Sequence, residues 1–560
     1  MASIFEGRRL SPTRLIIVLA VVCGLAAASV LVWGKAQDSA AAGQGRQWFG
    51  SYVDATSTPF YDIGGNVAPG ERVVLAFAVA DLEEPCQPSW GSFYTMDSAA
   101  ETFDLDRRAA RVREAGGEIV VSTGGLLNDE PATACSDPVA LRAAYAALLD
   151  RYESKTLDLD IEGDDLTDAD GGERRALAVA GLQSDRAAGG EPLEVWLTLP
   201  AATFGLTAEG LAEVDRMLDA GLDLAGVNLM TMNYGESRAP GDSMADAAIQ
   251  TARSAHAQLA QAYAERDQRI GEQSLWRKIG LTPMIGQNDL LGEILTTDDA
   301  ESLNRFAVEV NVGRMSFWSA NRDQACGPNF PDATRVSNNC SGTAQTPGEF
   351  AQILSRGIGK AAPENRAPAS SAPAPAPVES AIVDNPATSP YPVWNQEATF
   401  VEGDRAVWRG NVYEAKWWNE DVAPDAPVGN AGVTPWTLVG PVLPGDKPRP
   451  VVAAPAGLYP EWSPTDVYVK RDRIVFDGRV MESKWWNTAQ SPEAAMQGSQ
   501  DSPWKLLNNV EVQAILDAQE SASAPAKNPV PSKTPAPSKK PAPATPSSPA
   551  GKPASTTPSP

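Results

Sequence analysis

Residues 157–163 read Leu-Asp-Leu-Asp-Ile-Glu-Gly, and this short stretch predicts both a strand and a site. Successive side chains of an extended strand point to opposite sides, so Asp158, Asp160 and Glu162 share one face. The apolar residues between them face the other side, which is typical of a strand buried on both faces. Because burying ionisable groups costs free energy, an acidic row on such a strand indicates a functional cavity.

Crowded carboxylates indicate acid catalysis. Neighbouring negative charges cannot all ionise freely, so one pKa rises and that group keeps a proton near neutral pH, as a general acid must. The stretch also resembles the start of an EF-hand calcium loop. That interpretation fails because the twelfth loop position is Ala169 instead of a bidentate Glu, and because Leu159 and Ile161 are apolar. We therefore expect a catalytic strand and no metal site.

Length and charge limit the class of protein. A chain of 560 residues predicts two to four domains. A net charge of -25 disfavours nucleic acid as a partner, since phosphates need Lys and Arg, and an uncharged polymer fits better. The single histidine, His256, excludes multi-histidine metal sites and disfavours Ser-His-Asp hydrolysis. Carboxylates remain as the acid-base groups, and no cofactor is expected.

The N-terminus carries an export signal. Arg8, Arg9 and Arg14 precede an uncharged apolar run at residues 15–33, which is long enough to span a bilayer. Residues 1–36 are therefore predicted to be a signal peptide or an N-terminal membrane anchor, followed by a spacer at 37–45. We expect a secreted protein, with a membrane-anchored form as the alternative, and a monomer.

Four cysteines remain outside this segment, and they predict two disulfides in an exported protein. They are Cys86, Cys135, Cys326 and Cys340. Three pairings are possible. Joining Cys86 to Cys135 and Cys326 to Cys340 closes the shortest loops.

Residues 46–360 alternate short apolar runs with Ala- and Leu-rich helical stretches, the pattern of parallel strands with crossover helices. Eight strands are predicted, at residues 48–54, 72–78, 118–122, 156–162, 194–200, 226–232, 278–284 and 314–319. Eight such repeats predict an α/β fold of the (β/α)8 (TIM) barrel type. The active site of such a barrel lies at the C-terminal ends of its strands, where Glu162 ends the fourth.

The C-terminal part contains a repeat between two Pro-rich segments. Residues 361–385 are an Ala/Pro-rich linker, and 512–560 form a Pro/Ala/Ser/Lys tail that is predicted to be disordered. Between them, two segments match with an offset of 68 residues, at 386–442 and 456–511, joined by a linker at 443–455. We call them module 1 and module 2, and expect both to be small all-β domains.

Aromatic residues of the modules predict a sugar-binding surface. Neighbouring tryptophans of a strand face opposite sides, so one of each pair 417/418 and 485/486 is expected inside and the other in solvent. Flat exposed aromatic rings suit sugar rings. The candidate residues are Tyr391, Trp394, Trp417, Trp418 and Trp436 in module 1, and Tyr459, Trp462, Trp485, Trp486 and Trp504 in module 2.

These motifs together resemble a known family, the glycoside hydrolase family 18 chitinases. Residues 157–163 are similar to most of its catalytic signature Asp-Gly-x-Asp-x-Asp-x-Glu, 122–125 (Ser-Thr-Gly-Gly) to its Ser-x-Gly-Gly, 229–234 (Leu-Met-Thr-Met-Asn-Tyr) to its Met-Thr-Tyr-Asp region, and 317–318 (Phe-Trp) to its strand-eight tryptophan. Residues 415–418 (Ala-Lys-Trp-Trp) and 483–486 (Ser-Lys-Trp-Trp) resemble chitin-binding modules of carbohydrate-binding families 5 and 12. Two departures are Lys155-Thr156 for the opening Asp-Gly, and Met232-Asn233 for Tyr-Asp.

The resemblance implies a substrate-assisted reaction without metal or organic cofactor. Glu162 would protonate the glycosidic oxygen and later activate water, Asp160 would orient the acetamido nitrogen, and Asp158 would tune Asp160 by sharing a proton. The substrate-binding residues implied are Asn233 and Tyr234 at the acetamido group, Met230 and Met232 beside them, and Trp318 as the apolar floor.

Three functions follow from the sequence. The first is a secreted chitinase that cleaves β-1,4 linkages between N-acetylglucosamine units of chitin or a related polymer. The second is an endo-β-N-acetylglucosaminidase acting on glycoproteins, which would have no need of tandem modules. The third is a catalytically silent chitin-binding lectin, which would have no need of Asp158, Asp160 and Glu162. Endo or exo action, processivity and preferred chain length leave no mark in the sequence.

Overall fold

Eight parallel strands surrounded by helices form the larger part of the molecule. A computed structural model describes residues 47–359, 383–449 and 455–507 apart from positions 66, 329, 331–334, 427–432, 456 and 497–501, together with 511–512 and 515–516. The described residues up to position 507 belong to one compact unit. The predicted signal or anchor at 1–36, the spacer at 37–45, and most of the linker at 361–385 and of the tail at 512–560 lie outside the described residues.

The first part of the chain alternates strands and helices as its sequence predicts. Its strands are β1 (Trp48–Asp54), β2 (Arg72–Ala80), β3 (Pro88–Trp90), β4 (Tyr94–Thr95), β5 (Glu118–Gly124), β6 (Thr156–Asp160), β7 (Glu194–Ala202), β8 (Gly205–Leu206), β9 (Gly226–Met230), β10 (Ile279–Thr282), β11 (Gly286–Gln287), β12 (Ile294–Leu295) and β13 (Arg314–Phe317). Its helices are α1 (Met96–Phe103), α2 (Leu105–Glu114), α3 (Pro131–Ala134), α4 (Pro138–Arg151), α5 (Gly163–Thr167), α6 (Ala169–Ala188), α7 (Ala208–Asp219), α8 (Met244–Ala264), α9 (Glu272–Trp276), α10 (Thr297–Val310) and α11 (Glu349–Leu354).

The strands close into a barrel. Neighbours follow the order β1-β13-β10-β9-β7-β6-β5-β2, and β2 pairs with β1 to complete the ring. Every pair around the ring is parallel. The predicted (β/α)8 barrel is therefore confirmed, and each of the eight predicted strands is present with its ends shifted by a few residues.

Two apolar clusters hold the barrel together. The larger one lies between strands and helices and contains Leu157, Leu159 and Ile161, the apolar residues of the acidic stretch. The smaller one fills part of the barrel interior and includes Trp48 and Trp196. The alternation read from residues 157–163 thus places its leucines outward in the helical layer and its acids inward.

The two modules repeat one small β architecture. Their elements are β14 (Thr399–Phe400), β15 (Arg405–Trp408), β16 (Asn411–Ala415), β17 (Asn419–Glu420) and β18 (Trp436–Pro441) in module 1, and β19 (Val467–Tyr468), β20 (Arg473–Phe476), β21 (Arg479–Ser483), β22 (Asn487–Thr488), the helix α12 (Glu493–Met496) and β23 (Trp504–Leu506) in module 2. Each has a two-stranded and a three-stranded antiparallel sheet. The predicted small all-β units are confirmed.

The tryptophan pairs do not lie in strands, so the alternation argued for them is wrong. Trp417 and Trp418 follow β16 in a bend before β17, and the same bend holds Trp485 and Trp486. Both Trp485 and Trp486 are exposed. The tryptophan inside each module is instead the one that begins its last strand, Trp436 or Trp504.

Two disulfides close the shortest of the possible loops. Cys86 is bonded to Cys135 and Cys326 to Cys340. Among the described residues, no helix is both long enough and apolar enough to cross a membrane.

Candidate active site

The acidic row lies at the C-terminal end of β6. Asp158 and Asp160 are the third and last residues of the strand and are buried. Glu162 comes two residues later and precedes α5, with an extended backbone at φ -145° and ψ 177°. The alternation therefore continues past the strand end, and all three carboxyls point into the barrel mouth.

Asp158 accepts four hydrogen bonds from four other strands. Tyr52 (2.6 Å) and Ser122 (2.8 Å) donate to Oδ2, and Thr198 (2.7 Å) and Arg314 (2.5 Å) donate to Oδ1. Both carboxyl oxygens are occupied by these partners, which fixes the position of the side chain. The sharing of a proton between Asp158 and Asp160 stays a prediction, and the charge of Asp158 raises the pKa of Asp160.

Arg314 is the partner that sequence reasoning missed. It opens β13, is fully buried, and also donates to Tyr52 Oη (2.8 Å) and Ser316 Oγ (2.8 Å). Its guanidinium lies over the rings of Trp48 and Trp196, at 4.8 and 5.7 Å from the ring centroids. An ion pair in this apolar surrounding needs such additional contacts to offset the loss of hydration.

Asp160 lies in a different environment. Burial raises its pKa well above the ordinary value, the negative charges of Glu162 and Asp158 raise it further, and Arg314 opposes them. Among the described residues its Oδ1 atom has no hydrogen-bond partner. This buried acceptor is free to bind a group of a ligand.

Two glycines allow β5 to approach Asp160 closely. Gly125 N donates to the carbonyl oxygen of Asp160 (2.9 Å). A Cβ on Gly124 would lie 2.1 Å from that same oxygen, and one on Gly125 would lie 2.7 Å from the ring of Phe77. Both glycines have φ near +90°, which other residues rarely adopt. The Ser-Thr-Gly-Gly stretch at 122–125 thus shapes the wall beside the carboxyls.

Glu162 is poised as an acid. Burial, together with the negative charges of Asp289 and Asp165, raises its pKa to about 7. A carboxyl group with such a pKa is about half protonated at neutral pH, and its protonated form can donate to a leaving oxygen.

Asn233 and the methionines lie at the end of β9. The Asn233 amide donates to Asp289 Oδ2 (2.8 Å), and Asp289 N donates back to Asn233 Oδ1 (3.0 Å). Asn233 is thereby linked to an acid that acts on Glu162. Met230 and Met232 are half-buried beside it.

Tyr234 is not part of the site. Its ring is buried in the cluster between strands and helices, and Thr251 of α8 donates to its hydroxyl (3.4 Å). Its backbone N–H donates a hydrogen bond to the Glu293 carboxylate (2.8 Å). The predicted role for Tyr234 at an acetamido group is therefore wrong, since its side chain lies outside the barrel interior.

Trp318 supplies an apolar floor. Its ring stacks on Phe77 with centroids 5.4 Å apart and planes 16° apart, and it lies 6.0 Å from the ring of Tyr52. All three rings contribute to the inner cluster of the barrel. A flat aromatic surface beside acidic groups is suited to the apolar face of a sugar ring.

The module aromatics divide into exposed and structural residues. Trp417, Trp485 and Trp486 are exposed, whereas Trp418 is partly buried. For three other residues the predicted contact with sugar is wrong. Trp436 and Trp504 are buried in the module cores. The Tyr391 hydroxyl donates to Asp104 of the barrel (2.8 Å). Trp394 and Trp462 pack against the module cores, and Tyr459 accepts a bond from Arg473 (3.3 Å).

In the part of the chain that the structure describes, no cluster of three or more His, Cys, Asp or Glu side chains has the arrangement of a metal site. The site is thus a layer of hydrogen-bonded polar side chains below two carboxyl groups whose pKa values are raised. This arrangement can deliver a proton to a bond held above it.

Comparison with known proteins places this barrel among relatives with chitinase names. The chain is 33% identical over 287 residues to a probable bifunctional chitinase/lysozyme of Escherichia coli, which covers 50% of this chain and 31% of that protein. It is 32% identical over 281 residues to endochitinase 11 of Metarhizium anisopliae, covering 49% of this chain and 52% of that protein. The chain thus spans about a third and about half of these relatives. No protein-family model matches it.

Solved structures align with part of the chain. The catalytic domain of a hyperthermophilic chitinase from Pyrococcus furiosus is 26% identical, with 55% of this chain and 94% of that chain aligned at a TM-score of 0.47. Catalytic-site mutants of the same chitinase domain align with the same values.

Proposed function

We propose that this protein is a glycoside hydrolase of the chitinase type, which cleaves β-1,4 linkages between N-acetylglucosamine units. The observation that carries the proposal is Glu162, whose raised pKa of about 7 keeps a proton beside the buried acceptor of Asp160 at the barrel mouth. The names of the two sequence relatives, a chitinase/lysozyme and an endochitinase, support the same substrate class.

In the first step Glu162 donates its proton to the glycosidic oxygen as the bond to the anomeric carbon breaks. The carbonyl oxygen of the substrate's own N-acetyl group attacks that carbon and forms a cyclic oxazolinium ion. The Asp160 carboxyl accepts the acetamido N–H and so orients the carbonyl for attack. The negative charge left on Glu162 balances the positive charge of the ring.

In the second step Glu162 acts as a base. It takes a proton from a water molecule, whose oxygen attacks the anomeric carbon and reopens the oxazolinium ring. Two inversions at one carbon give net retention, so the product is released as the β anomer. Asp158 remains fixed by its four donors throughout and keeps Asp160 in place.

The modules and disulfides support the expected setting. Exposed Trp417, Trp485 and Trp486 offer flat faces for sugar rings of an insoluble polymer, which we propose is chitin. Two disulfides are typical of proteins outside the reducing cytosol, and we propose that the protein is exported.

Product analysis tests this function. Purified protein is incubated with colloidal chitin and, in parallel, with an N-glycosylated protein, and the soluble sugars are separated and identified. We expect chito-oligosaccharides from chitin and no released glycan. Release of glycans with intact chitin would favour the glycosidase acting on glycoproteins, and binding without products would favour a lectin. The Glu162→Gln variant serves as the inactive control.

A further inference from the structure

We infer that module 1 is docked on the barrel at a fixed orientation, through an Asp104-centred interface that module 2 cannot form. This inference is independent of the proposed function. Helix α2 of the barrel packs against β18, the last strand of module 1. The contact is built mainly from charged groups, and it gives the two repeats different roles.

Asp104 is the centre of the interface. It joins α1 to α2 in a left-handed backbone conformation, and as the residue preceding α2 it makes no side-chain capping bond. Its side chain is 1% exposed. One oxygen lies 2.6 Å from Arg405 and 2.8 Å from the Tyr391 hydroxyl, and the other lies 2.9 Å from Arg449. A barrel carboxylate is thus enclosed by three groups from module 1 and its connector.

The charges at this point are balanced. Burial alone would raise the pKa of Asp104, but the arginines Arg405, Arg449 and Arg107 lower it below its ordinary value. A buried carboxylate needs such partners, because removing them would leave an uncompensated charge. Asp104 therefore favours the docked arrangement over an open one in which the module has moved away.

Helix α2 adds three further contacts. Arg107 donates to Pro441 O (2.5 Å) and forms an ion pair with Asp446 (2.9 Å), and Arg111 donates to Leu438 O. The approach is close enough to require a glycine. A Cβ on Gly440 would lie 2.5 Å from the carbonyl oxygen of Arg107.

Module 2 keeps the counterparts of two docking residues, Tyr459 for Tyr391 and Arg473 for Arg405. Arg473 pairs with Glu482 (2.9 Å), as Arg405 pairs with Glu414 (3.0 Å) in module 1. The Arg473 side chain is 35% exposed, against 9% for Arg405, and it lines an open groove of about 480 Å³.

The offset of 68 residues shows which docking residues differ. In the sequence it aligns Gly440 with Asn508, Asp446 with Ala514 and Arg449 with Asp517. These three positions lie outside the described residues. The carboxylate of Asp446 and the guanidinium of Arg449 have no counterpart at the aligned positions, and the glycine is replaced by a residue with a side chain. Module 1 is therefore a fixed extension of the catalytic domain, with the barrel itself as the partner of this face.

Distance measurements between spin labels test the docking. Labels are placed on exposed positions of the full-length chain, through Leu177→Cys on α6 and Val433→Cys in module 1, in a Cys23→Ser background. Electron–electron double resonance should give one narrow distance distribution. The decisive variant is Asp104→Asn, because Asn tolerates the left-handed backbone and no residue of the module is changed. We expect its distribution to broaden roughly twofold or more, as for a module on a flexible linker.

Matched variants separate docking from folding. Arg405→Ala should broaden the distribution, whereas Arg473→Ala, the same change in module 2, should leave it narrow. Near-ultraviolet circular dichroism confirms that each variant is folded. A broad distribution in the parent protein, or an unchanged narrow one in Asp104→Asn, would overturn the inference. Either result would leave the proposed chitinase activity untouched, since the carboxyl groups that carry that proposal lie in the barrel mouth and not in this interface.

Discussion

Asp158 and Glu162 lie four residues apart in one acidic row, yet their side chains have different surroundings. Asp158 faces four donors, including the buried guanidinium of Arg314. Glu162 faces acids, and burial with the charges of Asp289 and Asp165 raises its pKa to about 7. Two carboxyl groups of one row thus differ in role because their partners differ: Asp158 is fixed by donors, and Glu162 can act as a proton donor.

The pH dependence of catalysis should follow Glu162. As the acid, it must be protonated, so activity falls when the pH rises through its pKa. Asp289→Asn removes a negative neighbour and lowers that pKa, so the alkaline limb of the kcat/KM profile should move to lower pH. The exposed Asp298→Asn serves as a matched control and should leave the limb in place. An unmoved limb in Asp289→Asn would contradict the assignment.

Arg314 should contribute much more to the free energy of unfolding than a surface arginine does. Arg314→Met leaves Asp158 buried without its counter-ion, which we expect to lower the free energy of unfolding by about 3–5 kcal/mol. Arg356→Met breaks an exposed pair with Glu301, in which the arginine side chain is 58% exposed, and should cost at most about 1 kcal/mol. Urea unfolding of both variants gives the comparison. Equal small losses would show that Arg314 is not the required counter-ion.

The acidic row could be predicted from the sequence because it is local. Alternation within seven residues places all three carboxyls on one face. Its partners could not be predicted, since Tyr52 and Arg314 lie 106 and 156 residues away from Asp158 and carry no local signal. Polar residues at inward-facing positions of the predicted strands are the feature of the sequence that indicates hydrogen-bonded side chains inside the barrel.

Strands and helices followed from periodicity, whereas the bends did not. The eight barrel strands were found because apolar runs recur at regular spacing. The prediction for the tryptophan pairs is wrong because a Trp-Trp pair next to a strand has the composition of a strand. The chain instead bends at Trp417 and Trp485. The role of Tyr234 is implied by the family resemblance alone, and the backbone turns at Asn233 with φ +54° before the Tyr234 ring enters the cluster between strands and helices.

The corrected placement gives a prediction for module 2. Trp485→Ala removes an exposed ring, so binding to insoluble chitin should weaken while the melting temperature stays nearly unchanged. Trp504→Ala removes a ring that is 1% exposed in the module core and should destabilise the module by about 3–5 kcal/mol. Sedimentation with chitin and thermal melts measure the two effects. Loss of stability in Trp485→Ala would contradict the binding role.

The molecule combines the acidic mouth of a barrel with exposed tryptophans on two modules. The sequence predicted their order along the chain but not the Asp104 interface, because that contact joins residues about 300 positions apart. The nearest signal was the set of differences between the repeats at positions 440, 446 and 449.

Removing the modules should affect solid and soluble substrates differently. Deleting residues 386–511 leaves the barrel cleft intact but removes the exposed tryptophans, so hydrolysis of crystalline chitin should fall much more than hydrolysis of soluble oligosaccharides. Rates on both substrates, normalised to folded protein, give the test. Equal losses on both would show that the modules do not hold the polymer.

The anomeric form of the first product tests the account most directly. Full-length protein is mixed with a soluble N-acetylglucosamine oligomer, and proton NMR follows the new reducing end before it mutarotates. Attack by the acetamido group, followed by water activated by Glu162, predicts that the β anomer appears first. If the α anomer appears first, the reaction proceeds with inversion, and the substrate-assisted mechanism proposed for this site is wrong.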